Sequence, residues 1–437
     1  MTYRPRPVSG FPEHLPEVRM EELRMLDHIR ATFESYGFAP IETPSVEELD
    51  VLLAKGETDK EIYTIERLQA DDTVAGDARL GLHYDLTVPF ARYVAQHFNE
   101  LVFPFKRYQM QRVWRGERPQ AGRFREFTQC DIDVIGIDNL AVTFDAELAA
   151  VAMQALDAIG VTGVTLHISN RKILNGFLMG LGLVEAADRV SVIRAIDAIA
   201  KVGPDETYTI IAKALGPNGF TVATKAILLA RIVGGPEAIE QVRALGVEHE
   251  ELNQGLTELE EVLRHLKFLG TTNAVANLSI ARGFDYYTGT VYEGRFDDNP
   301  GFGSIVAGGR YDDLAGAFIN KKLPGVGISI GFSRLFAKLL ADKTIHATRK
   351  SPADVLIVLP SEERREDMLV TAQALRKRGF KVETYHAPQK IGKQMSYAEK
   401  KGIPFVWFPP FDEGGDHEVK DMASGTQTKA DVTTWTP

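Results

Sequence analysis

Apolar and polar positions alternate along this chain at two spacings, and the spacings predict its elements. Leu23, Leu26, Ile29 and Phe33 recur three and four apart, as on one face of a helix, and Gly37 follows as a stop. The stretch from Pro40 to Leu52 (PIETPSVEELDVL) reads as extended, with Pro44 at an edge or turn. Asp145 to Ile159 reads as a helix closed by Gly160, and VTLHISN then alternates as a strand. From about Arg171 to His265 the pattern is mostly helical. Leu256, Leu259, Val262, Leu263 and Leu266 form an apolar stripe there, and Gly-Pro breaks fall at Gly203, Gly216 and Gly235. PGVGISIGFSRLF, Pro324 to Phe336, reads as a strand running into a helix with Arg334 in its first turn. After the polar linker ADKTIHATRKSPA, strands and helices alternate: ADVLIVLP, a helix through Leu375, FKVETYH, a helix around Met395, then PFVWFP. That order predicts a small α/β domain.

One stretch, Phe103 to Gly136, carries an unusual polar pattern. It reads as two strands joined by a polar loop. The first strand ends at Arg115, and the loop, Gly116 to Gly122, has Arg118, Pro119 and Gln120 at its middle. On the second strand Phe127, Gln129, Asp131, Asp133 and Ile135 share one face, and Thr128, Cys130, Ile132 and Val134 the other. The second is a core face. The first carries an amide and two carboxylates. Two readings fit: a charged surface hairpin, or a cleft in which Arg115 and the carboxylates meet a ligand with an anionic end and a cationic or hydrogen-bonding end.

Other candidates also admit two readings. Asp85 and Thr87, in LHYDLTVPFARYV, suit either a ligand pair or the start of a helix, since Pro89 follows. The block NLSIARGFDYYTGTVYEG carries Arg282, Asp285, Tyr286 and Tyr287, and by composition is an aromatic-rich strand. In the Gly-rich run that follows, GFGSIVAGGRYDDL, glycines permit close approach of a ligand or another backbone. The run is neither a P-loop nor a dinucleotide fingerprint.

The totals narrow the class. A chain of 437 residues exceeds one hydrophobic core, so two or three domains are expected. A net charge of −10 argues against non-specific nucleic-acid binding through the whole surface, while leaving room for a local basic site. The single cysteine, Cys130, cannot form an intrachain disulfide, which points to a reducing, cytoplasmic home. No run is long and apolar enough to span a bilayer, the N-terminus lacks the apolar core of a secretory signal, and no Cys/His group has zinc spacing. In the last domain Arg376, Lys377, Arg378, Lys381, Lys390, Lys393, Lys400 and Lys401 form basic clusters, either a solvated helix face or phosphate contacts.

Four blocks, in the same order, resemble the class II aminoacyl-tRNA synthetases. RGERPQAGR, FTQCDID and ARGFDYYTGTVYE resemble the histidyl-tRNA synthetase family in particular. The resemblance implies an α+β catalytic domain with a six-stranded antiparallel sheet (1–170 and 266–345), a helical insertion domain (171–265) and a C-terminal α/β anticodon-binding domain (346–437). It makes PIETPSVEELDVL the motif of a homodimer interface. It also implies activation of L-histidine with ATP and Mg2+ to histidyl-adenylate, then transfer to tRNA-His. By the same resemblance Arg282 and Arg115 are catalytic, and Asp85, Thr87, Gln129, Asp133, Tyr286 and Tyr287 bind histidine. Arg115, Glu117 and Arg334 bind ATP, and Arg118, Gln120 and Arg123 approach the tRNA. The chain departs from many relatives at His83, where they have Arg, at Asp85, where they have Glu, and at Ser333, where they have Glu. The alternative is a non-catalytic paralogue, the regulatory subunit of ATP phosphoribosyltransferase. Such paralogues lack the anticodon domain and lose motif residues, whereas this chain keeps Arg115, Arg282 and Arg334 and has the extra domain. A general RNA-binding protein is disfavoured by the acidic total.

Overall fold

The structure, a computed structural model, describes residues 4–54, 62–66, 79–119, 122–281, 287–313, 315–410 and 414–437. The chain divides into two compact units, Met1–Pro12 with Leu26–Ala341, and Glu13–Met25 with Asp342–Pro437.

In the larger unit Ala39–Pro40 (β1) comes first. Val46–Glu48 (β2), Thr64–Ile65 (β3) and Leu80–Leu82 (β4) form a small antiparallel sheet in the order β2-β4-β3. Phe105–Trp114 (β5), Glu126–Ile135 (β6), Val164–Asn170 (β7), Val233–Gly234 (β8), Ala274–Asn277 (β9), Tyr287–Phe296 (β10), Val306–Tyr311 (β11) and Gly325–Ile330 (β12) join β1 in the main sheet. Among the described residues that sheet has nine strands, in the order β1-β5-β6-β12-β11-β10-β7-β9-β8. Its six central strands, β5 to β7 in that order, are antiparallel throughout. This centre is the six-stranded sheet that the resemblance implies. The three additions are short: β1 runs parallel to β5, β9 parallel to β7, and β8 antiparallel to β9.

Burial follows the sequence pattern closely. Cys130, Ile132 and Val134, the core face of β6, are fully buried, as is most of the apolar helix Thr143–Ala158. The stripe from Leu256 to Leu266 lies buried along the helix Glu250–Phe268. One expectation fails. The stretch to Leu52 is not extended throughout; Leu49–Leu52 forms a helical turn. Leu49 and Leu52, three apart, pack there with Tyr84 and Val88, a contact that an extended chain would break.

The helical stretch between β7 and β9 starts from the sheet, where the Asn170 side chain caps Lys172 N at 3.0 Å, and it contributes the edge strand β8.

The smaller unit has Val355–Ile357 (β13), Val382–Thr384 (β14) and Phe405–Phe408 (β15) running parallel in the order β14-β13-β15, with helices Arg365–Lys377 and Ile391–Lys401. Glu418–Asp421 (β16) and Gln427–Lys429 (β17) extend it as an antiparallel hairpin, which the sequence pattern did not reveal. Trp407 lies fully buried in its core. Part of the basic cluster holds this unit together. Arg376 donates to the Val382 carbonyl at 2.7 Å, Arg378 to those of Val432 and Trp435 at 2.7 and 2.5 Å, and Lys401 pairs with Glu383 at 2.8 Å. Lys377, Lys381, Lys390, Lys393 and Lys400 are exposed. Among the described residues no helix is long and apolar enough to cross a membrane.

Candidate active site

The open side of β6 faces a cavity of about 340 Å³. Phe127, Gln129, Asp131 and Asp133 line it, the face set out by the alternation. Next to them β5 supplies a polar ladder in register: Arg107 opposite Asp133, Gln109 opposite Asp131, and Gln111 opposite Gln129. Arg107 is fully buried. It forms an ion pair with Asp133 at 2.6 Å and lies over the Phe90 ring at 4.2 Å. Gln109 Nε2 donates to Thr43 Oγ1 at 3.0 Å and to Gln111 Oε1 at 2.6 Å, while Gln111 Nε2 donates to the Thr43 carbonyl at 2.8 Å. The segment after β1 thus satisfies groups that burial would otherwise leave unpaired.

From the other side Tyr311 donates its hydroxyl to Asp133 at 3.0 Å, and Ser329 Oγ accepts from Gln129 Nε2 at 2.8 Å. Room for these contacts comes from glycine. A Cβ at Gly327 would overlap Asp133 Oδ1, and one at Gly308 would overlap the Gly327 carbonyl. Burial dominates the titration of this wall. It pushes the Asp131 carboxyl up to about 7 against the pull of Arg107 and Ser329. It pushes Asp133 up to about 6 against Arg107 and Tyr311. Asp85 is also raised by burial, with Val88 N–H and the Arg115 charge opposing.

The helix-start reading of Asp85 holds, and the residue also faces the cavity. Its Oδ1 accepts from Val88 N at 3.1 Å, in the first turn of the helix Thr87–Gln96, while Asp85 and Thr87 both line the cavity. His83 does not line it. Its Nε2 donates to the Arg112 carbonyl at 2.7 Å, its ring packs 5.5 Å from that of Trp114, and burial lowers its pKa, so it stands as a neutral strut beneath the strand end.

Near the start of β6 the cavity becomes cationic. Arg115 follows the last residue of β5 and continues the ladder, its N–H donating to the Arg125 carbonyl at 2.9 Å. Its Nε donates to the Tyr84 carbonyl at 3.0 Å, and its guanidinium lies over the Phe127 ring at 5.1 Å. Glu117 and Arg123, 3.5 Å apart, both line the cavity. Arg334, in the first turn of the helix Phe332–Ala341, reaches it as well. Its guanidinium lies over the Phe302 ring at 4.9 Å and donates to the Phe302 carbonyl, and burial with the nearby Arg123 charge lowers its pKa. Ser333 accepts from Thr128 N–H at 2.8 Å, tying that helix start to β6.

One cavity therefore gathers Asp85, Thr87, Arg115, Glu117, Arg123, Gln129, Asp133, Tyr287 and Arg334. Arg118 is exposed and does not line it, and Arg282, Tyr286 and Gln120 lie outside the described residues. Sequence reasoning missed Arg107, Tyr311, Ser329 and Gly327. For Arg107 a signal existed: Arg107, Gln109 and Gln111 alternate along β5 as the polar residues do along β6. Cys130, on the opposite face, is fully buried and its thiol is pushed well up, so it is inert toward this chemistry.

Comparison with known proteins agrees with the geometry. A family model for histidyl-tRNA synthetase matches residues 10–335, and one for an anticodon binding domain matches residues 354–434. The chain is 58% identical over 433 residues to a histidine–tRNA ligase of Thermobifida fusca, covering 99% of this chain and 98% of that one. It is 47% identical over 443 residues to that of Micrococcus luteus, covering 98% and 96%. The fold matches the crystal structure of histidyl-tRNA synthetase from Nostoc sp. PCC 7120 with a TM-score of 0.88 at 37% identity, over 98% of this chain and 97% of that one. A Bacillus halodurans structure, described as an ATP phosphoribosyltransferase regulatory subunit/histidyl-tRNA synthetase, shares the fold with a TM-score of 0.76 at 21% identity, over 91% and 97%. With the antiparallel sheet, the mixed acidic and cationic cavity and the C-terminal domain all accounted for, the chain belongs to the histidyl-tRNA synthetase family of class II aminoacyl-tRNA synthetases.

Proposed function

We propose that the protein is a histidine–tRNA ligase: it activates L-histidine with ATP and transfers the histidyl group to tRNA-His. One observation carries the reading. A single cavity is walled by buried carboxylates and an amide along β6 and by arginines at the start of that strand. A zwitterionic amino acid and a polyphosphate need those two environments side by side.

In the first step a carboxylate oxygen of histidine attacks the α-phosphorus of ATP. A new O–P bond forms, the bond to the bridging oxygen breaks, and pyrophosphate departs with the electron pair. Two anions must meet, so fixed cations matter most in the transition state. Arg115 holds the α-phosphate, oriented by the Tyr84 carbonyl and the Phe127 ring. Arg334 holds the γ-phosphate from a helix N-terminus, whose backbone dipole adds to the field. Glu117 supports the ATP side beside Arg123. Arg282 neutralises charge on the α-phosphate. Asp85 and Thr87 take the ammonium group, and Gln129, Asp133, Tyr286 and Tyr287 read the amino and imidazole groups. In the second step a hydroxyl of the terminal adenosine attacks the activated carbonyl, its proton is lost, and AMP leaves. Arg118, Gln120 and Arg123 approach the tRNA from the loop. Magnesium would accompany ATP and supply counter-charge to its phosphates.

The remaining assignments follow from the same reading. Residues 1–170 and 266–345 act as the catalytic domain, 171–265 as an insertion that approaches the acceptor arm, and 346–437 as the anticodon-binding domain. The protein works as a cytoplasmic homodimer. A chain ending near Asp342 is expected to form histidyl-adenylate but to charge tRNA poorly.

The matched anticodon-binding domain and full-length relatedness to ligases favour this reading over the regulatory paralogue. The test is histidine-dependent exchange of pyrophosphate into ATP, run with and without tRNA-His. Exchange that needs histidine, with charging when tRNA-His is added, is the expected result. Folded protein that exchanges nothing would favour the regulator.

A further inference from the structure

Three acceptor atoms in the cavity wall are shut off from solvent and have no hydrogen-bond partner among the described residues: Asp85 Oδ2, Gln129 Oε1 and Asp131 Oδ1. A buried acceptor without a donor carries a free-energy cost that a bound ligand can recover. Two of the three are set by one hydroxyl. Ser329 faces Asp131 across the β12–β6 ladder, and its hydroxyl hydrogen-bonds that carboxylate and favours its charged form. A serine hydroxyl has one proton. With that proton on Asp131, Ser329 can only accept from Gln129, which it does at 2.8 Å. The amide is thereby held with Nε2 toward Ser329, which leaves Oε1 as the acceptor without a partner.

Asp133, two residues along, differs: its two oxygens already meet Tyr311 and Arg107. Asp131 is the strand carboxylate with an oxygen to spare. An ammonium group has three N–H donors and no acceptor. We propose that Asp131 is a third acceptor for the ammonium group of the amino-acid substrate, beside Asp85 and Gln129, and that Ser329 is the positioning residue that aims both strand residues at it. The proposal rests on the reading of this cavity as the histidine pocket.

The charges around Asp131 fit. Arg107 faces it from β5, Asp85 from the turn before the helix Thr87–Gln96, Ser329 from β12, and Asp133 and Cys130 from its own strand. Burial and the two neighbouring carboxylates outweigh Arg107 and Ser329, so the carboxyl titrates near 7 without ligand. An arriving ammonium supplies the missing positive charge. Histidine binding near pH 7 therefore drives a proton off Asp131.

Calorimetry on the intact protein tests this with two ligands, L-histidine and 3-(imidazol-4-yl)propionate, the same molecule without its ammonium. Asp131→Asn is expected to weaken histidine about ten- to hundredfold and to leave the propionate within about twofold. It should also remove the proton release seen when histidine titrations are repeated in buffers of different ionisation enthalpy. Ser329→Ala should weaken histidine by a smaller factor and Ser329→Thr, which keeps the hydroxyl, should restore it. This pair carries the test should Asp131→Asn fail to fold. Equal losses for both ligands, or histidine affinity and proton release unchanged in Asp131→Asn, would overturn the proposal. Wild-type protein that does not bind histidine would overturn the pocket reading instead.

Discussion

The cavity presents two chemistries, one along β6 and one beside the start of that strand, and the protein holds them in opposite ways. From Gln129 to Asp133 the polar groups are buried and braced by the protein itself: Arg107 beneath, Tyr311 and Ser329 alongside, and the Thr43 segment behind. At the start of the strand the cations are partly or fully exposed and rest on aromatic rings and backbone carbonyls, Arg115 on Phe127 and Arg334 on Phe302. A buried site whose polar groups are fixed rejects any ligand that leaves them unpaired, which suits selection of one amino acid. A semi-exposed cluster of long cations suits a polyphosphate that arrives with its own counter-ions and must leave as pyrophosphate. On the proposed reading, selectivity belongs to the rigid end and charge neutralisation to the adaptable one.

The largest expected effect breaks the rigid end. Arg107→Met leaves the buried Asp133 carboxylate without its cation, which typically costs about 3–5 kcal/mol of folding stability. The cost should shrink as pH falls, because a protonated Asp133 needs no cation. Denaturant melts at pH 5 and pH 8 read both effects. The adaptable end should behave otherwise. Arg334→Ala is expected to melt within a few degrees of wild type yet to slow adenylate formation roughly a hundredfold to a thousandfold, the usual loss for one transition-state contact. Single-turnover assays with saturating histidine measure it.

A smaller effect sharpens the contrast through pH. Asp131 and Asp133 titrate near 7 and 6 in the folded protein, above the ordinary 3.8. The folded chain then holds more protons than the unfolded one between about pH 4 and 7, so these groups lower stability as pH rises through that window. Asp131→Asn removes one of them. The variant should match wild type near pH 4 and exceed it at pH 8 by up to about 4 kcal/mol, read from paired melts of ligand-free protein. A variant that gains stability while losing histidine affinity would mark Asp131 as a residue kept for binding.

Much of this architecture is legible in the order of residues alone. The β6 face follows from a period of two, and the strand into the Arg334 helix from the switch to a helical period. What stays hidden depends on register. Arg107 matters because it lies opposite Asp133, and Gly327 because Asp133 occupies the space of its missing side chain. Tyr311 and Ser329 come from strands far along the chain, and no local pattern says which residue they will face. β1 and β8, two residues each, are too short to show any period. At Asp85 the capping and ligand readings compete in the sequence; the structure shows one oxygen occupied by the helix start and leaves the other without a partner among the described residues.

The central claim is that amino-acid recognition and phosphate binding are divided between the two ends. Steady-state pyrophosphate exchange with Asp133→Asn and Arg334→Ala tests it most directly. The asparagine keeps an acceptor for Arg107, where alanine would strand that cation. Asp133→Asn should raise the KM for histidine by about ten- to hundredfold and leave the KM for ATP nearly unchanged. Arg334→Ala should do the reverse, raising the KM for ATP or lowering kcat while sparing the KM for histidine. Variants that each shift both KM values by the same factor would contradict the division.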